Sequence, residues 1–172
     1  MAFPIFEHQL LRLRFAGPHS DLVFLSLPDP ASLEEILENP RVERVTDTTL
    51  RLHAHPPLLV HLLYDDPEGQ GPAGGLLAAH RHDSDPDWLL VACDYPFFCV
   101  SALRQLTKET IGPVTCFENA DGAYEPLLGI WTPLALRLLK ENVDRGILGP
   151  KSVIVKSNTN QSDRKRMFGC ST

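Results

Sequence analysis

Two apolar runs that each end on acid constrain this chain more than anything else in it. Residues 88–98 read Trp-Leu-Leu-Val-Ala-Cys-Asp-Tyr-Pro-Phe-Phe, and the apolar stretch stops at a lone carboxylate, Asp94, just ahead of Pro96. Residues 58–63, Leu-Leu-Val-His-Leu-Leu, run up to Asp65 and Asp66 in the same way. Continuous runs of this length suit strands buried on both faces of a parallel sheet. In such sheets the carboxyl ends of the strands open into the ligand crevice. A carboxylate placed there suits a hard cation such as Mg2+ and, through it, substrate phosphates. The plainer reading of Asp94 is that it ends the strand or caps the next turn, as Asp often does.

Between the two runs lies Gly71-Pro72-Ala73-Gly74-Gly75, followed by Leu76-Leu77-Ala78-Ala79-His80. Glycines let a backbone approach a ligand closely, and the residues after them favour helix. A glycine turn that opens a helix can aim backbone N–H groups at an anion or a base edge. Taken alone, the segment is an ordinary strand-to-helix turn.

Helix and strand signals alternate along the rest of the chain. Phe6, Leu10 and Leu13 share one face of a short helix, with Arg12 and Arg14 off it. Residues 22–27 read as a strand stopped by Pro28-Asp29-Pro30. Ser32-Leu33-Glu34-Glu35 has the form of a capping box, which predicts a helix stopping near Asn39-Pro40. Short strands are expected at 42–45, 49–53, 114–117, 127–131 and 152–155. Thr132-Pro133 caps a helix over 133–145, with Gly146 as its stop. No internal repeat and no linker divides the chain. The expectation is one α/β domain over residues 1–156, a three-layer sandwich with a Rossmann-like, mostly parallel sheet. A polar, basic tail, 157–172, lacks apolar periodicity and is expected to be disordered.

Composition narrows the function classes. The 172 residues, 43% of them hydrophobic, supply one sizeable core. No stretch approaches the ~20 apolar residues of a membrane span, and the N-terminus lacks a basic-then-apolar signal, so a cytoplasmic location is expected. The net charge of −6 disfavours a dedicated nucleic-acid binder. Nucleotide phosphates stay open as substrates, because a divalent cation screens them from carboxylates. Cys93, Cys99, Cys116 and Cys170 contain no Cys-x-x-Cys pair, which disfavours a zinc ribbon or thioredoxin motif. Cys93 and Cys116 fall in apolar runs and read as small core hydrophobes. His53 with His55, and His80 with His82, lack a third zinc ligand at dependable spacing. No Gly-x-Ser-x-Gly elbow supports a Ser-His-Asp hydrolase.

In combination, the acid-ended strand, Gly-Pro-x-x-Gly, the helix and Leu-Leu-Val-Ala-Cys-Asp-Tyr-Pro-Phe resemble the molybdenum cofactor guanylyltransferases, the MobA-like nucleotidyltransferases. Residues 58–98 carry the specific part. More loosely, residues 6–14 resemble the family's first helix, 22–27 its second strand, and 122–131 the strand region after the acidic motif. The family opens with a strand and a loop of the form Leu-Ala-Gly-Gly-x-Ser-x-Arg-Met-Gly, followed by Lys, which cradles the triphosphate. Here the sequence opens Met1-Ala2-Phe3-Pro4-Ile5-Phe6, and its first glycine is Gly17. It therefore reads as an N-terminally truncated member that lacks the phosphate loop and is expected to be inactive as it stands. Loss of a central strand further predicts marginal stability or poor solubility. The family's closing Asn-x-Asn-Thr-Pro-Glu is matched only by Asn158-Thr159-Asn160.

The resemblance implies roles for individual residues. Asp94 would coordinate Mg2+, which bridges the nucleotide phosphates and the attacking cofactor phosphate. Asp65 would accept from the guanine edge, Gly71 and Gly75 would line the base pocket with backbone, and Ser26 would complete that pocket. The implied reaction is in-line attack of the molybdopterin phosphate on the α-phosphorus of GTP, releasing pyrophosphate, with positioning and charge neutralisation dominating catalysis. The small-molecule partners would be GTP and a molybdopterin-type acceptor. Two other classes stay open: a cytidylyl or sugar-phosphate nucleotidyltransferase, and a non-catalytic pseudoenzyme that keeps the fold as a binding surface.

Overall fold

Alternation along strand β4 (Leu58–Tyr64) decides how the first half of the molecule assembles. Leu58, Val60 and Leu62 are buried, whereas Leu59 between them is exposed, the period of 2 that places alternate side chains on opposite faces. The buried set packs against Leu10 of α1 (Ile5–Ala16), Val23 and Leu27 of β1 (Val23–Leu27), Leu33 of α2 (Ser32–Leu37), and Leu50 and Leu52 of β3 (Thr49–Leu52). β1 pairs with β4 in parallel, Val23 opposite Val60 through Leu27 opposite Tyr64. β3 pairs antiparallel with β4 and with β2 (Val42–Thr46), so the first sheet runs β1-β4-β3-β2. The computed structural model describes residues 5–16, 22–95, 98–109, 112–119 and 121–158.

A second sheet, ordered β5-β7-β6, combines β5 (Trp88–Val91), β6 (Val114–Glu118) and β7 (Tyr124–Trp131), all antiparallel. One of its faces packs on α3 (Pro72–His82), α5 (Pro133–Asp144) and α6 (Lys151–Asn158), through Leu76, Leu77, Leu136, Leu139, Val153 and the fully buried Trp131. The Trp131 ring would strand its N–H there, but Nε1 donates to the Pro126 carbonyl at 2.8 Å, which satisfies the polar edge of a buried indole. The other face packs on α1 and α4 (Val100–Lys108), through Ala16, Leu103, Leu106 and Ile130. Helices thus cover both sides of the sheets, and the three-layer α/β class is as the sequence suggests.

Pairing within that class is mixed rather than mostly parallel. Short connections join β2 to β3, β3 to β4 and β6 to β7, and short connections permit only antiparallel neighbours. The Trp88 run was expected to be a strand buried on both faces of a parallel sheet. It is instead a four-residue, half-buried strand, antiparallel to β7. Residues 152–155 are not a strand but part of α6, which includes Ser157 and Asn158; the rest of the tail lies outside the described residues. The Ser32 capping box does not form either. Ser32 is already helical, and Ala31 caps α2 without a side-chain bond. Asp29 does that work from one turn earlier, its Oδ1 accepting from the Ser32 N–H at 2.9 Å and the Ser32 hydroxyl at 3.2 Å. Thr132, by contrast, caps α5 as expected, accepting from the Ala135 N–H, and Gly146 ends that helix region at φ +80.

The bonds from Ser32 hold the Asp29 carboxyl below its usual value of 3.8, the backbone N–H contributing most. A carboxyl depressed in the fold stabilises it above the unfolded-state pKa and loses that contribution as pH falls through the folded-state value. Asp29→Ala should therefore lower Tm slightly at pH 7. The gap from wild type should close in melts run progressively below pH 3.8. A gap that stays constant with pH would remove Asp29 from the capping role.

Candidate functional site

Parallel strands end at the same side of a sheet, and here that side carries the candidate residues. The Asp65 N–H donates to the Leu27 carbonyl at 2.9 Å, extending the β1–β4 ladder one residue beyond β4. That bond brings Asp65 alongside Ser26, whose hydroxyl donates to Asp65 Oδ1 at 2.7 Å. The first turn of α3 closes over the pair. A Cβ on Gly74 would lie 3.1 Å from both Cβ and Oδ2 of Asp65, and one on Gly75 would lie 3.2 Å from Ser26 Oγ and 3.4 Å from Asp65 Oδ1. Any larger residue at these two positions would press on the carboxylate. Ser26, Asp65 and Gly75, three of the expected pocket residues, are thus brought together.

Gly71 stands at the entry to the same helix. It precedes α3 at φ +55, a conformation that favours glycine, and no atom lies within 4 Å of where its Cβ would be. Its task is to turn the chain into the helix, and its carbonyl accepts from the Gly74 N–H at 3.0 Å. Gly74 is the residue that sequence reasoning missed, although it stands beside Gly75 in the same motif. Gly69 was missed too: a Cβ there would meet Gly74 Cα and N at 2.5 Å, backbone that cannot step aside. Asp66 is spoken for, taking Arg81 Nη1 at 2.7 Å and the Glu68 N–H at 2.9 Å. Asp65 has no cation beside it among the described residues, so of the two adjacent carboxylates it is the one open to a ligand.

Asp94 lies in the turn that follows β5, exposed, with no hydrogen bond or ion pair among the described residues. No contact joins it to the Ser26–Asp65 pair, yet both lie at the same end of the fold. Gln9, near the start of α1, donates to the Cys93 carbonyl at 3.1 Å, whereas Arg14, near the end of α1, donates to the Pro56 carbonyl ahead of β4 at 2.7 Å. His82, at the end of α3, lies against Phe24 near the start of β1 and against Trp88 at the start of β5, so the two strands start on one side, and the turn after β5 lies away from that shared start, as the carboxyl ends of β1 and β4 do. Cys93, expected in the core, is exposed in this turn.

A polar cluster that the sequence did not announce braces the turn. Tyr95 donates its hydroxyl to the Glu125 carboxylate, which also accepts from Asn119 Nδ2 at 2.5 Å. Burial first, then the bond to Glu125, holds the Tyr95 hydroxyl well above the usual tyrosine range. Beneath it, burial pushes the Cys116 thiol up to about 12, aided by the charges of Glu125 and Glu118 against an opposing backbone hydrogen bond. Burial and the neighbouring carboxylates thus disfavour the thiolate form of Cys116. Among the described residues no group of three or more His, Cys, Asp or Glu side chains is placed to hold a metal ion. Nor is any described helix long and apolar enough to cross a membrane.

Known proteins share this arrangement of elements. Over 95 residues, 54% of the chain, the sequence is 33% identical to a molybdenum cofactor biosynthesis bifunctional protein of Synechocystis sp., of whose length it covers 27%. The fold superposes on the crystal structure of molybdopterin-guanine dinucleotide biosynthesis protein A from Archaeoglobus fulgidus with a TM-score of 0.60 at 17% identity, covering 89% of this chain and 66% of that one. A putative protein of Aquifex aeolicus VF5 gives a TM-score of 0.61 at 12% identity, covering 89% of this chain and 71% of that one. The chain thus spans about a quarter of the curated relative and about two thirds of the A. fulgidus chain. Residues 3–160 match the MobA-like NTP transferase domain, and with nearly the whole of its length inside that match the chain belongs to this family.

Proposed function

We propose that the chain belongs to a guanylyltransferase-type domain, of the kind that moves GMP from GTP onto a molybdopterin-type phosphate with release of pyrophosphate, and that these residues by themselves bind the guanine nucleotide without turning it over. The observation that carries this reading is the carboxylate of Asp65, held by Ser26 and left without a cation, facing glycines 74 and 75 at the carboxyl ends of β1 and β4. Guanine presents N1–H and N2–H2 side by side, two donors that a fixed carboxylate accepts together. Adenine and cytosine lack that pair. The two glycines leave bare backbone beside the carboxylate, room that a flat base can use. The acceptor class is supported by the relative in molybdenum cofactor biosynthesis, which aligns over about half of this chain.

Asp94 fits the role of a Mg2+ ligand in its donor chemistry: a hard oxygen, exposed and not committed to another partner. Mg2+ commonly takes one or two carboxylates and completes its shell with phosphates and water, so the absence of a larger donor cluster among the described residues is no obstacle. The ion, when bound, would supply charge neutralisation at the phosphates. The chain's own contribution is positional. Ser26 and Asp65 orient the base, and the Tyr95–Glu125–Asn119 cluster fixes the turn that presents Asp94. In the family's reaction the acceptor phosphate oxygen would bond to the α-phosphorus in line as the bond from that phosphorus to pyrophosphate breaks, leaving GMP on the acceptor.

Two substitutions separate these roles. Asp65→Ala should weaken GTP binding by about 1–3 kcal/mol, the usual cost of leaving a bound polar group unpaired, and leave ATP binding nearly unchanged. Equal losses for the two nucleotides, measured by calorimetry, would move Asp65 from base reader to phosphate site and favour another nucleotidyltransferase. Asp94→Asn should remove the Mg2+ dependence of GTP binding while leaving Tm unchanged, because the side chain is exposed and unpaired. Unaltered Mg2+ dependence in that variant would overturn its assignment.

A further inference from the structure

Asp66 ties the turn between β4 and α3 together through every polar group it has. Its N–H donates to the Gly74 carbonyl at 3.0 Å, and its carbonyl accepts from the Gly69 N–H at 3.0 Å. Its Oδ1 accepts from the Glu68 N–H at 2.9 Å, and its Oδ2 from Arg81 Nη1 at 2.7 Å. Three of these partners belong to the turn or to the start of α3, whereas Arg81 comes from the last turn of that helix. The other terminal nitrogen of Arg81, Nη2, donates to the Tyr64 carbonyl at 3.3 Å. That carbonyl belongs to the peptide unit leading into Asp65. One planar guanidinium is therefore bonded just before Asp65 and just after it. The Asp66 side chain is 12% exposed and that of Arg81 56%, so a nearly buried carboxylate is neutralised by an arm that lies along the surface.

We infer that Arg81 is a positioning residue for base selectivity: by bracketing Asp65 between Tyr64 and Asp66, it sets the plane of the carboxylate that meets the base. The inference rests on the proposed role of Asp65 as base reader. A carboxylate that accepts two donors side by side must hold its plane as well as its place. The single side-chain bond from Ser26, at 2.7 Å, fixes one of its oxygens. The plane then depends on the backbone of Asp65, whose N–H is pinned to Leu27 and whose flanking groups are pinned by Arg81. Arg81 has a second, less selective effect. It cancels the charge of Asp66 beside a site meant for an anion, which helps any nucleoside triphosphate equally. The two effects separate by chemistry. Lysine keeps the charge but is a compact point without the planar fork, so it preserves the second effect and loses the first.

Calorimetric titration of the full chain with Mg2+–GTP and with Mg2+–ATP reads both effects. Arg81→Lys should weaken GTP binding about three- to tenfold and leave ATP binding within about twofold of wild type. In an Asp65→Ala background the same substitution should change GTP affinity by less than about twofold, because the group it positions is gone. A purely structural role would instead lower Tm and weaken both nucleotides alike in either background. If Arg81→Lys does not fold, Asp66→Asn removes the anion that Arg81 grips, and should likewise lower the ratio of GTP to ATP affinity. An unchanged ratio in whichever variant folds, or an undiminished effect of Arg81→Lys when Asp65 is alanine, would overturn the inference. Either result beside a GTP-selective loss in Asp65→Ala removes Arg81 alone. A non-selective loss in Asp65→Ala removes the base reader and this inference together.

Discussion

The parallel pairing of β1 with β4, in the register that sets Leu27 opposite Tyr64, is what brings Ser26 to 2.7 Å from Asp65. A slip of one residue would turn the whole apolar set of β4 out of the core, and Leu58, Val60 and Leu62 hold the register because all three are buried. The site therefore inherits its geometry from the core beneath it. Because the pair is parallel, the carboxyl ends of both strands coincide. A hydroxyl at the end of one and a carboxylate just past the end of the other are then neighbours without any loop having to reach. The α3 turn adds the roof: Gly69 lets it close where a Cβ would meet backbone at 2.5 Å, and Gly74 and Gly75 let it lie tight against Asp65 and Ser26.

How much of this could be read in the sequence depended on how local the signal was. Thr132-Pro133 and Gly146 marked α5 correctly because both act within a single turn of chain. The Gly-Pro-x-x-Gly helix and the runs ahead of Asp65 and Asp94 were legible for the same reason. Ser32 misled: its spacing to Glu35 fits a capping box, but Asp29, held between two prolines, reaches the same N–H first. Residues 152–155 looked like a strand because Ser-Val-Ile-Val is β-rich. Yet Val153 and Ile154 find their burial on a helix, Val153 in the core around α5 and Trp131, so packing overrode propensity. The Tyr95–Glu125–Asn119 cluster was invisible, since it joins residues 30 and 6 positions apart across two connections.

The molecule divides along a seam between its two sheets, and the candidate residues sit on either side of that seam. Ser26 and Asp65 belong to the first sheet, Asp94 and its brace to the second, and α1, α3 and the Phe24–Trp88 contact tie the halves together. The base reader proposed on one side and the metal-binding carboxylate proposed on the other suit a ligand long enough to span both, as a nucleotide triphosphate is.

The most direct test of the central claim, that a guanine nucleotide binds across the carboxyl ends of β1, β4 and β5, is an amide chemical-shift titration of the chain with Mg2+–GTP. The account predicts that the perturbed amides cluster at Ser26, Asp65, Gly74 and Gly75 on one side of the seam and around Asp94 on the other, and that Mg2+–ATP leaves the first group unmoved. Perturbation confined to β2 and the far ends of the strands, or an identical response to both nucleotides, would contradict it.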